Sequence, residues 1–399
     1  MTEPKAAPRG IALLLAALSA LGPFSIDTYL PSFHDIADKL GATQLEVQQT
    51  LSAYLLAFAV MTLWHGAISD RFGRRRVILI ALALFGIASA GCVFATCIEH
   101  LWFWRAMQGV TAGAGIVISR AIVRDLFDGP AAQRLMSQIT MMFALAPAVA
   151  PVIGGWLQTF FGWRSIFAFL VLSTAALWLA CWKLLPETLP PEKRQSLRPG
   201  YLGRTYWKVF TSPAFLFACA ALSLNFVGFF IYVLSAPVFL MQHLGIDETG
   251  FLWLFGPAMC GLMSGSWLSG RLAGKRSLSG TIALGYGIMA SAATINLVLN
   301  LALPPALPWS VLPLFIYTLG MALAMPCLTI LALDPFPDQR GLAASCQTFF
   351  QSGFNSLAAG LIAPLLWGST LTLALGMGGM LLLGGLAALA HQKSRLLPG

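Results

Sequence analysis

Charge is what this chain has least of. Only 10% of its 399 residues are Asp, Glu, Lys or Arg, and just 15 are acidic, where a soluble domain carries about 25% charged residues. That shortage, set against 58% hydrophobic residues and a mean hydropathy of +0.78, excludes an ordinary soluble enzyme and points to a polytopic membrane protein. The motifs of several chemistries are missing too. The seven cysteines form no C-x-x-C pair, and no Cys/His cluster has zinc spacing. There is no H-E-x-x-H, no G-x-S-G and no nucleotide-binding P-loop. One acid embedded in an apolar run cannot make an aspartyl dyad. An intramembrane enzyme is therefore disfavoured, and ATP-driven transport would need a separate partner. Most cysteines fall inside apolar runs, where Cys packs as a small residue; Cys92 and Cys97, near an outer face, are the one conceivable disulfide. The net charge of +9 does not mark nucleic-acid binding, because the cations sit in short loops between apolar runs and not on one face.

What is present is a series of long apolar runs. A spanning helix needs roughly 20 mostly apolar residues, and helices are the default because lipid cannot satisfy an open backbone. The runs predict twelve spans, at 11–32, 47–69, 77–97, 101–123, 133–158, 164–184, 213–239, 250–272, 279–301, 310–332, 342–366 and 370–391. The first is long enough to span and reads as an uncleaved helix, not a signal peptide. With both termini in the cytoplasm, every Lys and Arg except Lys39, Arg105 and Arg164 falls on the inner side, as the positive-inside bias requires. A polar stretch rich in Pro, Lys and Arg divides the spans six and six. It gives an N-terminal bundle over 1–185, a central cytoplasmic loop over 186–212 and a C-terminal bundle over 213–399, an organisation suited to a transporter with a central site. The halves echo each other weakly: 25–30 parallels 235–240, and 69–75 parallels 269–275, where the acid and most of the charge are gone.

Ionisable residues inside spans are costly and usually functional. Asp27 is the one acid well within a span, and Arg105 the one cation. Each lies roughly 6–8 Å below the outer end of its span at 1.5 Å per residue, so a direct or water-bridged pair is expected. Burial and a nearby cation push a carboxyl in opposite directions, which suits a group that binds a proton in one conformation and releases it in another. The loop from Gly66 to Arg76, with Asp70, Arg71, Gly73 and Arg74, is a burst of charge between two spans. Arg124 and Asp125 end span four nearby, so a cytoplasmic switch network of Asp70, Arg74, Arg124 and Asp125 is expected. Pro147 and Pro151 each remove a helix hydrogen bond in span five, and Gly154 and Gly155 permit close backbone approach. A central cavity would draw on Tyr29, Tyr54, Gln108, Met142, Asn225, Phe226, Phe229 and Tyr232. It would also draw on Gln347, Gln351 and Asn355, which recur at i, i+4, i+8 on one helix face.

Several of these stretches resemble known signatures. The Gly66-x-x-x-Asp70-Arg71-x-Gly73-Arg74-Arg75 loop resembles the one between spans two and three of the major facilitator superfamily. Asp27-Thr28-Tyr29-Leu30-Pro31 resembles the D-x-Y-L-P motif of Bcr/CflA-type drug:proton antiporters. Arg105-Ala106-Met107-Gln108-Gly109 is similar to that family's R-x-x-Q-G motif, whose arginine is implicated in proton transfer. Residues 146–155 resemble the span-five antiporter motif G-x-x-x-G-P-x-x-G-G, with Ala at 146 and 150. The resemblance implies an all-α, twelve-helix protein of two pseudo-symmetric bundles in a bacterial inner membrane. It further implies a protein without cofactor, energised by the proton gradient, that exports small amphiphilic drugs of chloramphenicol, bicyclomycin or sulfonamide type. A monomer is expected, because each half can close the other's cavity. A proton-coupled importer or a metabolite exporter on the same fold is the alternative.

Overall fold

The computed structural model describes residues 10–127, 129–194, 199–272, 275–336 and 340–394; along 129–145 only the side chains of Leu135 and Ile139 are described, so Met142 lies outside the described residues. The described chain is helical throughout, with no strand. In the first half α1 (Ile11–Asp27) continues through a 3-10 turn, Leu30–Ser32, into α2 (Phe33–Leu40). Then come α3 (Gln44–Phe72), α4 (Arg74–Val93), α5 (Ile98–Leu126), α6 (Gly129–Phe161) and α7 (Arg164–Leu184). The second half begins with α8 (Pro199–Phe210) and α9 (Pro213–Leu234), the latter followed by a π-helical turn, Pro237–His243. It continues with α10 (Leu252–Leu272), α11 (Leu278–Ala302), α12 (Leu312–Leu333), α13 (Arg340–Leu357), α14 (Ala363–Leu365) and α15 (Thr370–Ser394).

Helix starts follow from local chemistry. Thr43 and Glu46 form a capping box at α3: the Thr43 backbone N–H donates to Glu46 Oε2 at 2.7 Å and the Glu46 N–H to Thr43 Oγ1 at 3.2 Å. Those bonds satisfy two of the donors that every helix start leaves open. Ser212 and Ser277 cap α9 and α11 by one bond each, the serine hydroxyl accepting from the N–H of Phe215 and of Gly280.

Nine helices among the described residues are long and apolar enough to cross a membrane. They occupy all the predicted spans except five, eight and eleven, where α6, α10 and α13 to α14 stand. In α10, Gly, Ser, Trp and Pro257 dilute the apolar residues without interrupting the helix. Span one runs further than expected, to Leu40, because Pro31 sits at the start of a 3-10 turn, a place where its missing N–H costs nothing. The stretch 186–212 was expected to be a loop; it contains α8, whose alternating buried and exposed positions make an amphipathic helix.

The chain divides into two compact units, Met1–Pro199 and Gly200–Gly399. Each is built by the same internal pairing. In the first, α5 packs against α1, α3 and α4, while α4 also meets α7 and α1 meets α6. In the second, α12 plays the part of α5, packing against α9, α10 and α11, while α11 meets α15 and α9 meets α13. The weak sequence echo between the halves is therefore a repeat of architecture. All seven cysteines are free thiols, Cys92 and Cys97 included.

Candidate functional site

Asp27 is the last residue of α1 and is only 5% exposed. Among the described residues its carboxylate makes no ion pair and no hydrogen bond. The expected direct pair with Arg105 is absent, because Arg105 is held elsewhere. Its guanidinium lies between two tyrosine rings, 4.6 Å from the centroid of Tyr29 and 4.5 Å from that of Tyr54. Its Nη1 donates to Gln108 Oε1 at 2.8 Å and to the Ser25 carbonyl at 3.3 Å. The amide of Gln108 donates in turn to Ser89 Oγ at 2.7 Å. Tyr29 Oη pairs with Thr50 Oγ1 at 2.8 Å, and Ser25 Oγ donates to Tyr54 Oη at 3.0 Å. The clamp thus joins α1, α3, α4 and α5.

Tyr29, Tyr54, Gln108 and Arg105 are all fully buried. The first three were expected to meet substrate; here the two tyrosine rings and the Gln108 amide oxygen hold Arg105. A cation over a desolvated aromatic face gains about 2 kcal/mol, and each of these rings supplies one such face. The clamp still leaves Nε and Nη2 of Arg105 without a hydrogen-bond partner among the described residues.

Gly154 explains how α6 reaches this region. A Cβ there would strike the carbonyl oxygen of Thr28, the residue after Asp27. Only glycine allows that approach, and the neighbouring Gly155, Pro151 and Ala150 are buried as well. Pro147 is half-buried in the same helix. Gly154→Ala is expected to lower the stability of the first half by about 1–3 kcal/mol through overpacking, seen as a fall in its thermal midpoint.

At the other end of the same half, the charged loop is a closed cluster. Arg74 is ion-paired to Asp70, and its Nε lies 3.1 Å from Asp125 Oδ2. Arg74 Nη1 also donates to Ser69 Oγ at 2.7 Å. Arg71 stacks on the ring of Phe72 at 5.2 Å, and Gly66 lies against Val117 of α5. Arg124, expected in the network, is exposed and makes no ion pair among the described residues. Arg74 pairs with both aspartates of the cluster, Asp70 and Asp125.

Two members of the cluster were missed. Glu187 Oε1 accepts from the backbone N–H of Arg74 at 2.9 Å and of Leu189 at 3.1 Å, and Thr188 Oγ1 donates to Asp125 Oδ2 at 2.9 Å. Glu187 therefore caps α4 from 113 residues away. Gly73 cannot cap it: it has no side chain, and its φ of +95° is a conformation glycine adopts readily. A Cβ at Gly73 would also strike the Glu187 carboxylate. The pairing spans too much sequence for spacing to reveal it, although an acid directly after the last span of the half was a visible hint. Glu187→Ala is expected to cost about 1 kcal/mol or less, the size of a lost helix cap, and to speed amide hydrogen exchange at the start of α4.

The second half carries neutral polar groups. Asn225 Nδ2 donates to Tyr286 Oη at 2.8 Å, Tyr286 donates to the Gly384 carbonyl at 2.9 Å, and Tyr317 Oη donates to the Asn225 carbonyl at 3.0 Å. Asn296 Nδ2 donates to Tyr232 Oη at 2.7 Å. Asn225 and Tyr232 thus join helices inside their own unit. Phe226 packs edge-on against Phe229 at 6.2 Å. Gln347 reaches Thr329 at 3.4 Å, and Gln351 and Asn355 are half-buried one and two turns along the same helix. Tyr286, Asn296 and Tyr317 were not singled out from the sequence, since one Tyr or Asn in an apolar run carries no spacing signal. No group of three potential metal ligands gathers among the described residues.

The comparisons with known proteins agree with this architecture. The model of the Major Facilitator Superfamily matches residues 13–359. The chain belongs to that superfamily. It is a membrane transporter. An uncharacterised MFS-type transporter of Bacillus subtilis (strain 168), YdgK, is 33% identical over 394 residues, covering 97% of this chain and 96% of that protein. Multidrug resistance protein D of Escherichia coli (strain K12) is 28% identical, covering 88% of this chain and 87% of that one. A chloramphenicol resistance protein of Pseudomonas aeruginosa is 27% identical over 78% of this chain and 74% of its own. Among solved structures, a peptide transporter superposes with a TM-score of 0.77 at 16% identity, covering 99% of this chain and 98% of that one, a likeness of fold.

Proposed function

We propose that this transporter exports small amphiphilic compounds in exchange for protons, with Asp27 as the coupling carboxylate. One observation carries the reading: a carboxyl sits buried and unpartnered at the end of α1 while an arginine with two unused donors is clamped in the same half. A charge kept in a span without a partner is costly, so a proton on Asp27 relieves that cost. A shift of α1 that brought the carboxylate to Arg105 would stabilise the ionised form and release the proton. Alternation of this kind is a two-state equilibrium biased by protonation on one side and by substrate on the other. The switch cluster of Asp70, Arg74 and Asp125, tied by Glu187, holds the cytoplasmic ends of α3, α4 and α5 as one body during the change. Both termini lie in the cytoplasm, as the Lys and Arg bias requires.

Export, rather than import, is supported by the resistance proteins among the relatives and by the Pro147 to Gly155 stretch. Chloramphenicol-like and bicyclomycin-like drugs are the first substrates to try, because relatives are named for resistance to each. The test is proton release from purified protein in detergent when such drugs are added. Release that follows drug concentration and saturates supports the exchange. Drug binding without release removes proton coupling from the account.

A further inference from the structure

The helix α8 has two faces of opposite kind. Thr205 and Val209 are buried, at 4% and 0% exposure, and the Phe210 ring packs edge-on against Phe349 of α13 at 5.6 Å. That side is fastened to the second unit. Arg204, Trp207 and Lys208, spaced i, i+3, i+4, share the other side, and all three are exposed, Trp207 to 73%. Neither cation forms an ion pair among the described residues. No acid lies in the chain between Glu192 and Asp247, so nothing close in sequence neutralises this face.

Its place is fixed by the chain. Only Thr211 and Ser212 separate α8 from the start of α9, a membrane span. Trp207 is therefore within a few residues of the level where the chain enters the bilayer. An indole prefers that level, with its apolar body in the acyl boundary and its N–H among the headgroups. Cations on either side of it along the helix meet the phosphate layer at the same height.

We propose that the Arg204, Trp207 and Lys208 face of α8 binds anionic phospholipid headgroups at the membrane surface beside α9. Bound there, α8 anchors to the bilayer the segment that joins the two units. This surface is separate from Asp27 and Arg105, and its test needs no transport.

The full-length protein is placed in nanodiscs of phosphatidylcholine alone and of phosphatidylcholine mixed with phosphatidylglycerol, and amide hydrogen exchange is followed over 199–212. Phosphatidylglycerol is expected to slow exchange by up to about 30-fold, the scale expected for two cations at an anionic surface. High salt removes the effect by screening, and so does the double change Arg204→Glu with Lys208→Glu. Trp207→Ser is expected to leave the lipid preference but weaken protection in both lipids. Unchanged size-exclusion profiles show that the variants are folded. Equal exchange in the two lipids overturns the proposal. So does a phosphatidylglycerol effect that survives the double charge reversal.

Discussion

Asp27→Asn is expected to abolish drug-stimulated proton release and to reduce gradient-driven export to the level of membranes without the protein. The substitution replaces a carboxyl by a group of the same shape that cannot take up or release a proton, so packing at the end of α1 is retained. Drug binding is expected to survive, measured on the same purified material. The pairing of retained binding with lost release is what separates a coupling residue from a structural one. If Asp27→Asn still releases protons on drug addition, the coupling carboxylate is elsewhere. Asp70 and Asp125 would be poor replacements, since both are already paired with Arg74.

Arg105→Lys is expected to have the second largest effect, without changing the charge. An ammonium cannot fill the planar slot between Tyr29 and Tyr54 as a guanidinium does, nor keep the directional bonds to both Gln108 and the Ser25 carbonyl. Losing buried hydrogen bonds to a charged group costs about 1.5–3 kcal/mol, so export is expected to fall about 10- to 100-fold and the thermal midpoint by several degrees. Arg105→Met goes further in transport but leaves no stranded charge, and it is expected to be less damaging to stability than its effect on export suggests. An Arg105→Lys protein with full export and unchanged stability would mean the clamp is incidental.

How much of this was legible beforehand differs from element to element. The spans were, because the bilayer imposes a length and a composition that any chain crossing it must show. The membership of Arg74, Asp70 and Asp125 in one cluster was legible too, since both ends of the contact sit in short segments at the same membrane face. Glu187 was not, because a cap supplied across 113 residues leaves no local pattern. The Arg105 site was half visible. Its place inside a span was readable from the apolar runs. Its partners were not readable, because which of several aromatic and polar side chains face an arginine depends on how four helices are rotated about their axes.

The sequence by itself determined the class of the protein, most of its spans and which of its few charges lie inside them. Those follow from the cost of placing polar groups in lipid, a cost paid residue by residue and so recorded residue by residue. Only the tertiary structure decided that Asp27 stands alone, that Tyr29, Tyr54 and Gln108 serve Arg105, and that Asn225 and Tyr232 bond within their own unit. It also decided that the segment between the units carries a helix with an exposed cationic face. Those outcomes depend on helix rotation and on contacts distant in sequence. A chain so poor in charge offers few polar groups to choose among, yet each can be satisfied in more than one way.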